Sequence, residues 1–310
     1  MDAQSLKLFL DLYHSRNFTR TSERNYLTQP AVSHQIQRLE HELGVRLFER
    51  TKRRVVVTEE GRLLFPIAKD LLARFDEIRT LFAERKGLVI GRLKISTTVS
   101  IGLYILPSYL KQFIKRFPDV DLHVEYQLPD TIYDLLLKGD SDLGLLAYPE
   151  RQSDIVVLPF MVDEFVLICP PHHIWARKKH IKIAEIEGQD FIGLAEATPT
   201  GKAIRQRLKD LGITVRLRTE YNNIEVVKKT VETGLGISLV PRGVVTQEVK
   251  NRTLISLSFS DVNFERPLGI VYRKSKVVTK PMQEFLKILT ATAPSTPEES
   301  PHPHSGRVKP

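Results

Sequence analysis

The stretch LTQPAVSHQIQRLEHELGVRLFERTKRRVVVTEEG, residues 27–61, decides how the N-terminal part of the chain folds. Four of its apolar residues are spaced by four, three and four positions, which places them on one side of a helix. These residues are Val32, Ile36, Leu39 and Leu43. Pro30 suits the first turn of that helix, where a missing N–H costs no hydrogen bond, and Gly44 suits the left-handed position that ends it. We therefore predict a helix that begins near Pro30 and ends at Gly44.

Two shorter helices precede this one, and a β-hairpin follows it. An apolar stripe with helical spacing marks the first helix. The stripe consists of Leu6, Phe9, Leu10 and Tyr13. Asn17 or Thr19 is placed to cap a second helix, which runs to about Asn25. In residues 45–58, two β-favouring pieces flank the basic residues 51–54, which predicts a hairpin with a basic tip.

The exposed face of the third helix carries side chains that can read base edges in a DNA groove. Gln can pair with adenine and Arg with guanine through two hydrogen bonds, and basic residues on the hairpin can contact phosphates. The predicted DNA-contacting residues are Thr28, Gln29, Pro30, Ser33, His34, Gln37, Arg38, Arg50, Lys52, Arg53, Arg54 and Thr58. The net charge of +9 suits a polyanionic partner, although many basic proteins bind none. On periodicity alone, an ordinary three-helix domain with a solvated polar face explains the pattern equally well.

A long helix is predicted from Thr58 to about Lys86. Thr58 is placed to cap it, and Glu59 and Glu60 lie in its first turn, where the helix dipole favours negative charge. Apolar residues then repeat with spacings of 4, 3, 4, 3 and 4, as in the seam of a coiled coil. The seam consists of Leu64, Ala68, Leu71, Phe75, Ile78 and Phe82. We predict a homodimer through this helix, with contacts at Leu64, Leu71, Phe75, Ile78 and Phe82. A surface helix packed on its own domain is the alternative.

From about residue 91, strand-like runs alternate with helices. The predicted strands are 93–97, 121–126, 142–147, 190–195, 215–220, 236–240 and 268–273, with the apolar pieces IVVLPF and EFVLIC after the third. The predicted helices lie at about 102–116, 130–138, 200–211, 223–233 and 279–289. Such alternation predicts a parallel or mixed α/β sheet. The strands and helices divide into two similar halves, or lobes. If the last strand and helix belong to the first half, the chain crosses between the lobes twice.

Residues 27–61 closely resemble the N-terminal signature of the LysR-type transcriptional regulators. The matching residues are Gln29 to Ser33, Gln35, Ile36, Leu39, Glu40, Leu43, Gly44, Leu47, Phe48, Arg50, Thr58 and Gly61. A joint match over this span is far more specific than a lone short motif. One departure is residues 19–22, Thr-Arg-Thr-Ser, where the family more often has small residues such as Ala on the second helix. The rest of the chain, up to its tail, looks like the family's linker helix and two-lobed effector domain.

The resemblance implies an α+β multidomain fold. It consists of an N-terminal winged helix-turn-helix, a long linker helix and a C-terminal two-lobed α/β effector domain that is similar to periplasmic solute-binding proteins. The expected boundaries are 1–58 for the DNA-binding domain (helix-turn-helix at about 18–37), 59–87 for the linker and dimerisation helix, and 91–290 for the effector domain. Lobe I is expected at about 91–162 plus 268–290, and lobe II at about 163–267. The tail, 291–310, is rich in Pro, Ser and Glu and is expected to be disordered.

The family binds small molecules, commonly anions or metabolites, between its two lobes, and suitable groups lie at the matching strand ends here. Hydroxyls and free N–H groups at converging helix N-termini favour an anion, and α/β folds bind ligands at the carboxyl ends of strands. The predicted effector-binding residues are Thr97, Thr98, Ser100, Ala147, Thr198, Thr200, Gly201, Asn222 and Asn223. Lys202 and Arg205 are close enough in sequence to add charge. The polar residues have an alternative role as plain helix caps, but together they predict a small carboxylate, phosphate or sulfate-like ligand.

Residues and resemblance together predict a sequence-specific, DNA-binding transcriptional regulator that responds to a small anionic effector. The expected partners are double-stranded DNA with a pseudo-palindromic promoter site, a second copy of the chain and, by resemblance, a homotetramer; RNA polymerase is a further candidate. One alternative is an architectural DNA-binding protein whose α/β part is structural. Another is an enzyme with an appended DNA-binding domain. We expect no catalytic residues, no metal site and no cofactor besides the effector, since the sequence has no nucleophile elbow or glycine-rich phosphate loop.

The remaining sequence features predict a cytoplasmic protein. No run approaches the ~18 consecutive apolar residues of a membrane span, and the N-terminus lacks the pattern of a signal peptide. The lone Cys169 cannot form an internal disulfide, and its apolar neighbours predict a buried thiol. A composition of 42% hydrophobic and 27% charged residues excludes a largely disordered or fibrous chain.

Overall fold

The computed structural model describes residues 2–50, 55–84 and 88–291. The N-terminal module, residues 2–84, has the predicted order of three helices, a hairpin and a long helix. Its elements are α1 (Ala3–Ser15), α2 (Phe18–Arg24), α3 (Gln29–Leu43), β1 (Phe48–Arg50), β2 (Val55–Val57) and α4 (Glu59–Glu84). β1 and β2 pair antiparallel, with Glu49 opposite Val56.

Local signals begin and end the helices of this module. Asn17, rather than Thr19, caps α2, since its Oδ1 accepts the N–H of Arg20 at 3.1 Å. Thr28 caps α3 through its side-chain oxygen, and Gly44 follows the helix in the left-handed conformation, with φ of 69°. The predicted end of the third helix at Gly44 is therefore confirmed.

The four helices and the hairpin enclose one hydrophobic core. The buried apolar side chains of α1 and α3 include Leu6, Phe9, Val32, Ile36 and Leu39, as predicted. Leu43, the last residue of α3, is 39% exposed because the helix ends at the edge of the core. Burial of whole apolar side chains supplies roughly 1.5–3 kcal/mol each, which makes this core the main source of the module's stability.

The departure from small residues on the second helix has a local explanation. Thr21 and Ser22 are buried in α2, where Ala would be the simpler choice. The Thr21 hydroxyl donates to the carbonyl of Asn17, and the Ser22 hydroxyl donates to the carbonyl of Thr19. Each buried hydroxyl is thus satisfied within its own helix, so it can be buried without an unpaired polar atom.

Residues 88–291 form a larger unit of alternating strands and helices. Its strands are β3 (Gly91–Thr97), β4 (Val120–Tyr126), β5 (Leu143–Ala147), β6 (Ile155–Cys169), β7 (His180–Ile181), β8 (Asp190–Leu194), β9 (Arg216–Tyr221), β10 (Ser238–Pro241), β11 (Ile255–Phe259) and β12 (Glu265–Arg273). Its helices are α5 (Val99–Tyr104), α6 (Leu106–Arg116), α7 (Pro129–Leu137), α8 (Pro199–Asp210), α9 (Ile224–Glu232), α10 (Thr246–Lys250) and α11 (Lys280–Thr290).

The strands pair into a mixed sheet. The order is β4-β3-β5-β12-β6-β11-β7, and β10 also pairs with β6. β3 is parallel to β4 and β5, whereas β12 is antiparallel to both β5 and β6. β8 and β9 form a separate parallel pair. This mixed α/β architecture behind a helix-turn-helix module confirms the predicted fold class.

Two long antiparallel strands, β6 and β12, pass between two hydrophobic cores. Phe160 of β6 and Ile270 of β12 are buried with β3, β5, α6 and α11, which we term lobe I. The C-terminal half of β6, from Phe165 to Cys169, is buried with β8, β10, α8 and α9, which we term lobe II. The last strand and helix therefore return to the first lobe, and the expected two crossovers are confirmed.

Three details differ from the sequence-based expectation. The helix expected at 102–116 is two helices, because Pro107 in the first turn of α6 has no N–H with which to continue α5. The apolar pieces IVVLPF and EFVLIC belong to one strand of 15 residues, and the pairing register shifts where Pro159 lies opposite Gly269. The two-residue β7 is too short to show a pattern, and β11 was not predicted although its sequence ISLSF alternates apolar and polar residues as a half-buried strand does.

α4, the longest helix of the described residues, connects the two parts of the molecule in space as well as in sequence. It has 26 residues and includes Pro66. Its Lys69 pairs with Asp140 of lobe I, and its Asp70 pairs with Arg273 at the end of β12.

Neither α4 nor any other helix in the described ranges combines the length and apolar character that crossing a membrane requires.

Candidate functional site

The predicted DNA-contacting residues of α3 lie on one side of the helix, near its N-terminus. Ser33 is half-buried, and the other predicted residues from this helix and its cap are exposed: Thr28, Gln29, Pro30, His34, Gln37 and Arg38. Val32 and Ile36 are buried on the opposite side. Arg38 pairs with Glu42 across an exposed turn, with Nε to Oε1 at 3.2 Å, and such a pair is broken at little cost because both charges are solvated. An exposed polar face at the leading end of a helix is what major-groove binding requires.

The hairpin beside α3 is held in place by a carboxylate of that helix. Glu40 Oε1 accepts the backbone N–H groups of Leu47 at 2.8 Å and Phe48 at 3.0 Å. This role of Glu40 was not predicted, since sequence spacing does not reveal which backbone groups a long side chain reaches. Arg50 is the last residue of β1. The tip residues Lys52, Arg53 and Arg54 lie outside the described residues.

Thr58 occupies the corner between the hairpin and α4. Its hydroxyl donates to the carbonyl of Arg46 at 2.7 Å and accepts the N–H of Gly61 at 3.1 Å. The cap role is confirmed by the second bond. Because both hydrogen bonds are internal, Thr58 contributes to the angle of the hairpin, while its contact with DNA stays a prediction.

α4 presents an apolar stripe to solvent. Leu63, Ile67, Phe75 and Ile78 are 66%, 55%, 45% and 58% exposed. Of the predicted dimerisation residues, Phe75 and Ile78 belong to this stripe, whereas Leu64 and Leu71 pack partly against the module's own core. Ala68 is fully buried there, since the first half of α4 lies against α1. The side chain of Phe82 lies outside the described part of the chain.

A cleft lies between the lobes, where helices α5, α7, α8 and α9 begin. Its cavity volume is about 90 Å³, well below the roughly 300–1,000 Å³ of drug-sized ligand sites, so it suits only a small molecule. The predicted effector-binding residues that line it are Thr98, Ser100, Ala147, Thr198, Thr200, Asn222 and Asn223. The hydroxyl of Thr198 and the amide of Asn223 cap α8 and α9, accepting the N–H groups of Gly201 and Glu225.

Thr97 and Gly201 are near the cleft but do not line it. The Thr97 hydroxyl points into lobe I and donates to the carbonyl of Leu145 at 3.0 Å. Gly201 is packed so closely on the backbone that an added Cβ would lie 2.2 Å from the carbonyl oxygen of Ala195. Arg205 turns away from the cleft and pairs with Glu196 and Glu220.

The hydroxyl of Thr98, the residue after Thr97, lies at the cleft and is unpaired in the described part of the chain. Its oxygen, Oγ1, is buried and has no hydrogen-bond partner among the described residues. Although Thr98 precedes α5, its side chain makes no cap bond to that helix. An unpaired buried hydroxyl costs about 1–3 kcal/mol, so this group gains from any ligand that bonds to it.

Arg266, on β12, is the cleft residue that sequence reasoning missed. Its side chain is 3% exposed, and Nη2 donates to Ser100 Oγ at 2.8 Å. Nε is buried and has no partner among the described residues. Burial lowers the pKa of Arg266, and Asp163 counteracts this, but an arginine guanidinium remains charged in proteins. The strand was predicted to begin at residue 268, so a lone arginine beside Pro267 was the only available signal.

Two residues contact Arg266 or its neighbours: Asp163 lies near the guanidinium, and Tyr148 bonds to the adjacent backbone. Asp163 lies opposite Arg266 on β6, with Oδ2 to Nη1 at 3.6 Å. Burial raises the pKa of Asp163, and Arg266 opposes that rise. Tyr148 has φ of 52°; its N–H donates to the carbonyl of Pro267 at 2.8 Å and its hydroxyl to the carbonyl of Glu265 at 3.1 Å. Tyr148 therefore holds the backbone on both sides of Arg266.

A polar cluster joins the two lobes beside the cleft. Tyr104, at the end of α5, donates to Glu225 Oε1 at 2.8 Å and accepts from Lys228 Nζ at 2.5 Å. The Lys228 side chain is fully buried and also pairs with Glu248 at 2.9 Å. These bonds hold α5 of lobe I against α9 of lobe II.

Two family models match the chain. The model described as bacterial regulatory helix-turn-helix protein, lysR family, matches residues 3–62, and the LysR substrate binding domain matches residues 86–294. The chain is 28% identical over 290 residues to the RuBisCO operon transcriptional regulator of Allochromatium vinosum, covering 94% of this chain and 96% of that protein.

Solved structures share the fold. Full-length OxyR from Pseudomonas aeruginosa is 25% identical with a TM-score of 0.74, and the match covers 94% of each chain. The regulatory domain of CcmR from Synechocystis PCC6803, solved in complex with 2-PG, is 23% identical with a TM-score of 0.59, covering 65% of this chain and 96% of that one. With its helix-turn-helix module, its two-lobed domain and both family models, the chain belongs to the LysR-type transcriptional regulators.

Proposed function

We propose that this regulator binds a small anionic effector in the cleft between its lobes and that Arg266 is the effector's main anchor. The observation that carries the proposal is a guanidinium that is 3% exposed and has an Nε without a partner in the described chain. A buried charge with unused donors is costly, and an anionic ligand would supply the missing acceptor.

The surrounding groups support an anion rather than an apolar ligand. The free Thr98 hydroxyl and the first turns of α8 and α9 face the same space as Arg266. Helix N-termini attract negative charge, because their backbone N–H groups lack partners within the helix. In the related fold of CcmR, the regulatory domain was solved with 2-PG (2-phosphoglycolate), which is an anion. A small carboxylate, phosphate or sulfate-like molecule is therefore the best-supported class.

The apolar stripe of α4 supports a homodimer. Leu63, Ile67, Phe75 and Ile78 expose apolar area along one side of a helix, and pairing with a second copy would remove it from water. Two α3 helices in one dimer would then reach a pseudo-palindromic site about one DNA turn apart, roughly 34 Å. A tetramer and a contact with RNA polymerase are further proposals that rest on family resemblance.

The effector would act by stabilising one arrangement of the lobes. The effector can shift the equilibrium between two lobe arrangements only if it binds one of them more tightly than the other. The cleft residues come from both lobes, so an anion held by Arg266 and by the first turn of α8 would favour a closed arrangement. This function requires no catalytic step and places the protein with the DNA, in the cytoplasm.

Calorimetric titration with sulfate, phosphate, glycolate and 2-phosphoglycolate tests the effector class. At least one anion should bind, and Arg266→Met and the pair Thr98→Ala with Thr200→Ala should each lose that binding. Arg205→Met, which removes an exposed arginine outside the cleft, is the matched control and should bind as the unchanged protein does. Failure of all four anions to bind would reject the anionic class.

Footprinting on the protein's own upstream DNA separates the rival functions. We expect a protected site whose extent changes when the binding anion is added. Binding that is indifferent to both sequence and anion would favour an architectural protein. Chemical conversion of the bound molecule would favour an enzyme.

A further inference from the structure

Asp163 places a negative charge beside the arginine that is proposed to anchor an anion. It lies directly opposite Arg266 where β6 and β12 pair, and its side chain is 14% exposed. The 3.6 Å between Asp163 Oδ2 and Arg266 Nη1 exceeds the 2.7–2.9 Å of a charge-assisted hydrogen bond. The two charges therefore face each other without closing a hydrogen-bonded pair.

Four charged or titratable groups of the described residues act on Asp163. Arg266 on β12 and Arg242 after β10 are its positive neighbours, and Glu164 next to it on β6 is negative. Tyr148, after β5, is a further titratable neighbour. The carboxylate accepts one hydrogen bond, from the backbone N–H of Glu164 to Oδ1 at 3.0 Å. Arg242 is itself paired with Glu164, which leaves Arg266 as the principal counter-charge of Asp163.

We propose that Asp163 is a specificity-determining residue that competes with the effector for Arg266 and takes up a proton when an anion binds. The proposal rests on the proposed function, since it concerns the same anion site. In the free protein, the Asp163 carboxylate partly neutralises the guanidinium. When an anion reaches Arg266, a second negative charge enters the same poorly solvated space. One proton from solvent then adds to the carboxylate and removes the repulsion.

The sign of the pH dependence follows from this balance. An incoming anion stabilises the protonated form of Asp163, so the pKa of its carboxyl, already raised by burial, rises further in the complex. Binding that takes up a proton becomes tighter as the pH falls, by at most about tenfold per pH unit for one proton. Asp163 thus makes the regulator more sensitive to its anion at lower pH.

Asp163→Asn is the decisive variant, and sulfate is the probe, because the charge of sulfate is constant from about pH 5.5 to about pH 8. Calorimetry should give a sulfate Kd for the unchanged protein that falls severalfold over this range as the pH is lowered. Asp163→Asn should bind sulfate severalfold more tightly at about pH 8, with a Kd that no longer changes with pH. Glu164→Gln, the adjacent carboxylate on the same strand, is the matched control and should keep the pH dependence.

A second measurement needs no variant. Titrations of the unchanged protein in buffers with different ionisation enthalpies give the number of protons taken up on binding. This number should be a clear fraction of one at intermediate pH, because a severalfold change of Kd over this range corresponds to less than one proton. Weaker sulfate binding by Asp163→Asn, or no proton uptake by the unchanged protein, would overturn the proposal even if Arg266 anchors the anion. If neither protein binds sulfate, the proposal is also rejected, whereas loss of every anion in the wider panel is the separate failure of the proposed function.

Discussion

Arg273 Nη2 lies 2.5 Å from Asp70 Oδ1, which joins the last residue of β12 to the linker helix α4. The same strand carries Arg266 in the cleft, seven residues earlier. At about 3.3 Å per residue, β12 therefore spans roughly 23 Å between the proposed effector site and the helix that leads to the DNA-reading module. Lys69 and Asp140 form a second pair at this junction, so lobe I is held to α4 by two ion pairs.

Asp70→Asn should destabilise the protein, because it leaves the buried Arg273 charge without its carboxylate. The Arg273 side chain is 10% exposed, and removing one partner of a buried pair costs up to about 3–5 kcal/mol. We expect about 1–3 kcal/mol, since Asp70 is 22% exposed and Asn can still accept a hydrogen bond. Urea unfolding followed by circular dichroism measures the loss.

Asp134→Asn is the control for this junction. It breaks the exposed Asp134–Lys138 pair of α7 and should change stability by less than about 0.5 kcal/mol. Equal losses in the two variants would mean that the junction with α4 contributes nothing specific.

Thr98→Val and Thr97→Val form a matched pair with opposite expected results. The Thr98 hydroxyl has no partner among the described residues, so Val should raise stability by about 1 kcal/mol while weakening anion binding. The Thr97 hydroxyl bonds to the Leu145 carbonyl, so Val there should lower stability by about 1 kcal/mol. Thermal unfolding and anion titration of both variants check this, and a loss of stability in Thr98→Val would contradict it.

Tyr104→Phe should loosen the contact between the lobes. It removes the hydroxyl that bonds Glu225 and Lys228, and leaves the buried Lys228 with fewer partners, at a cost of about 1–3 kcal/mol. Anion affinity should fall because the closed arrangement is less populated. Tyr109→Phe is the control, since the Tyr109 ring packs on Phe160 and its hydroxyl has no hydrogen bond in the described structure. Unchanged stability and affinity in Tyr104→Phe would argue against a role of this cluster in closure.

Cys169 should be unreactive in the folded protein. It is fully buried in β6, and burial raises the pKa of its thiol to about 12, so almost no thiolate exists at neutral pH. Iodoacetamide at about pH 8 should label Cys169 only after unfolding in urea. Rapid labelling under native conditions would show that lobe II opens far more readily than its packing implies.

Gln29→Ala should relax the base preference of the protein without abolishing DNA binding. Gln29 is exposed at the leading end of α3, where loss of a base contact costs about 1–3 kcal/mol at one position of the site. Arg53→Ala, between β1 and β2 in the sequence, should instead weaken binding to all sequences alike and reduce the salt dependence. Gel shifts with single-base variants of the footprinted site measure both, and Gln247→Ala, an exposed glutamine of lobe II, is the control. A uniform loss in Gln29→Ala would contradict base reading by this residue.

The elements of the N-terminal module were predictable because their signals are local. Pro30, Thr28 and Gly44 act within one or two turns of α3, and apolar residues three or four positions apart mark which side of the helix is buried. The order of strands and helices in the larger unit was predictable for the same reason. Helix N-termini at strand ends also placed Thr98 and Thr200 at the cleft.

For the linker helix α4, the spacing of apolar residues was not sufficient to predict which of them are exposed. A spacing of 3.5 residues placed Leu64, Leu71, Phe75 and Ile78 on one seam, but the first two pack partly on the module's own core. Leu63 and Ile67 are more exposed than either. The pattern indicates that a face is apolar, yet only the packing of α4 on α1 decides which part of it remains for a second copy.

The sequence by itself determined that the chain has a helix-turn-helix, a wing and a two-lobed α/β domain, since each follows from neighbouring residues or a joint motif. Only the tertiary structure decided that Asp163 faces Arg266, whose side chain lines the cleft. These residues are far apart in sequence, and they meet because β6 and β12 cross between the lobes in one antiparallel register. A one-residue slip in that register would turn either side chain to the opposite face of the sheet.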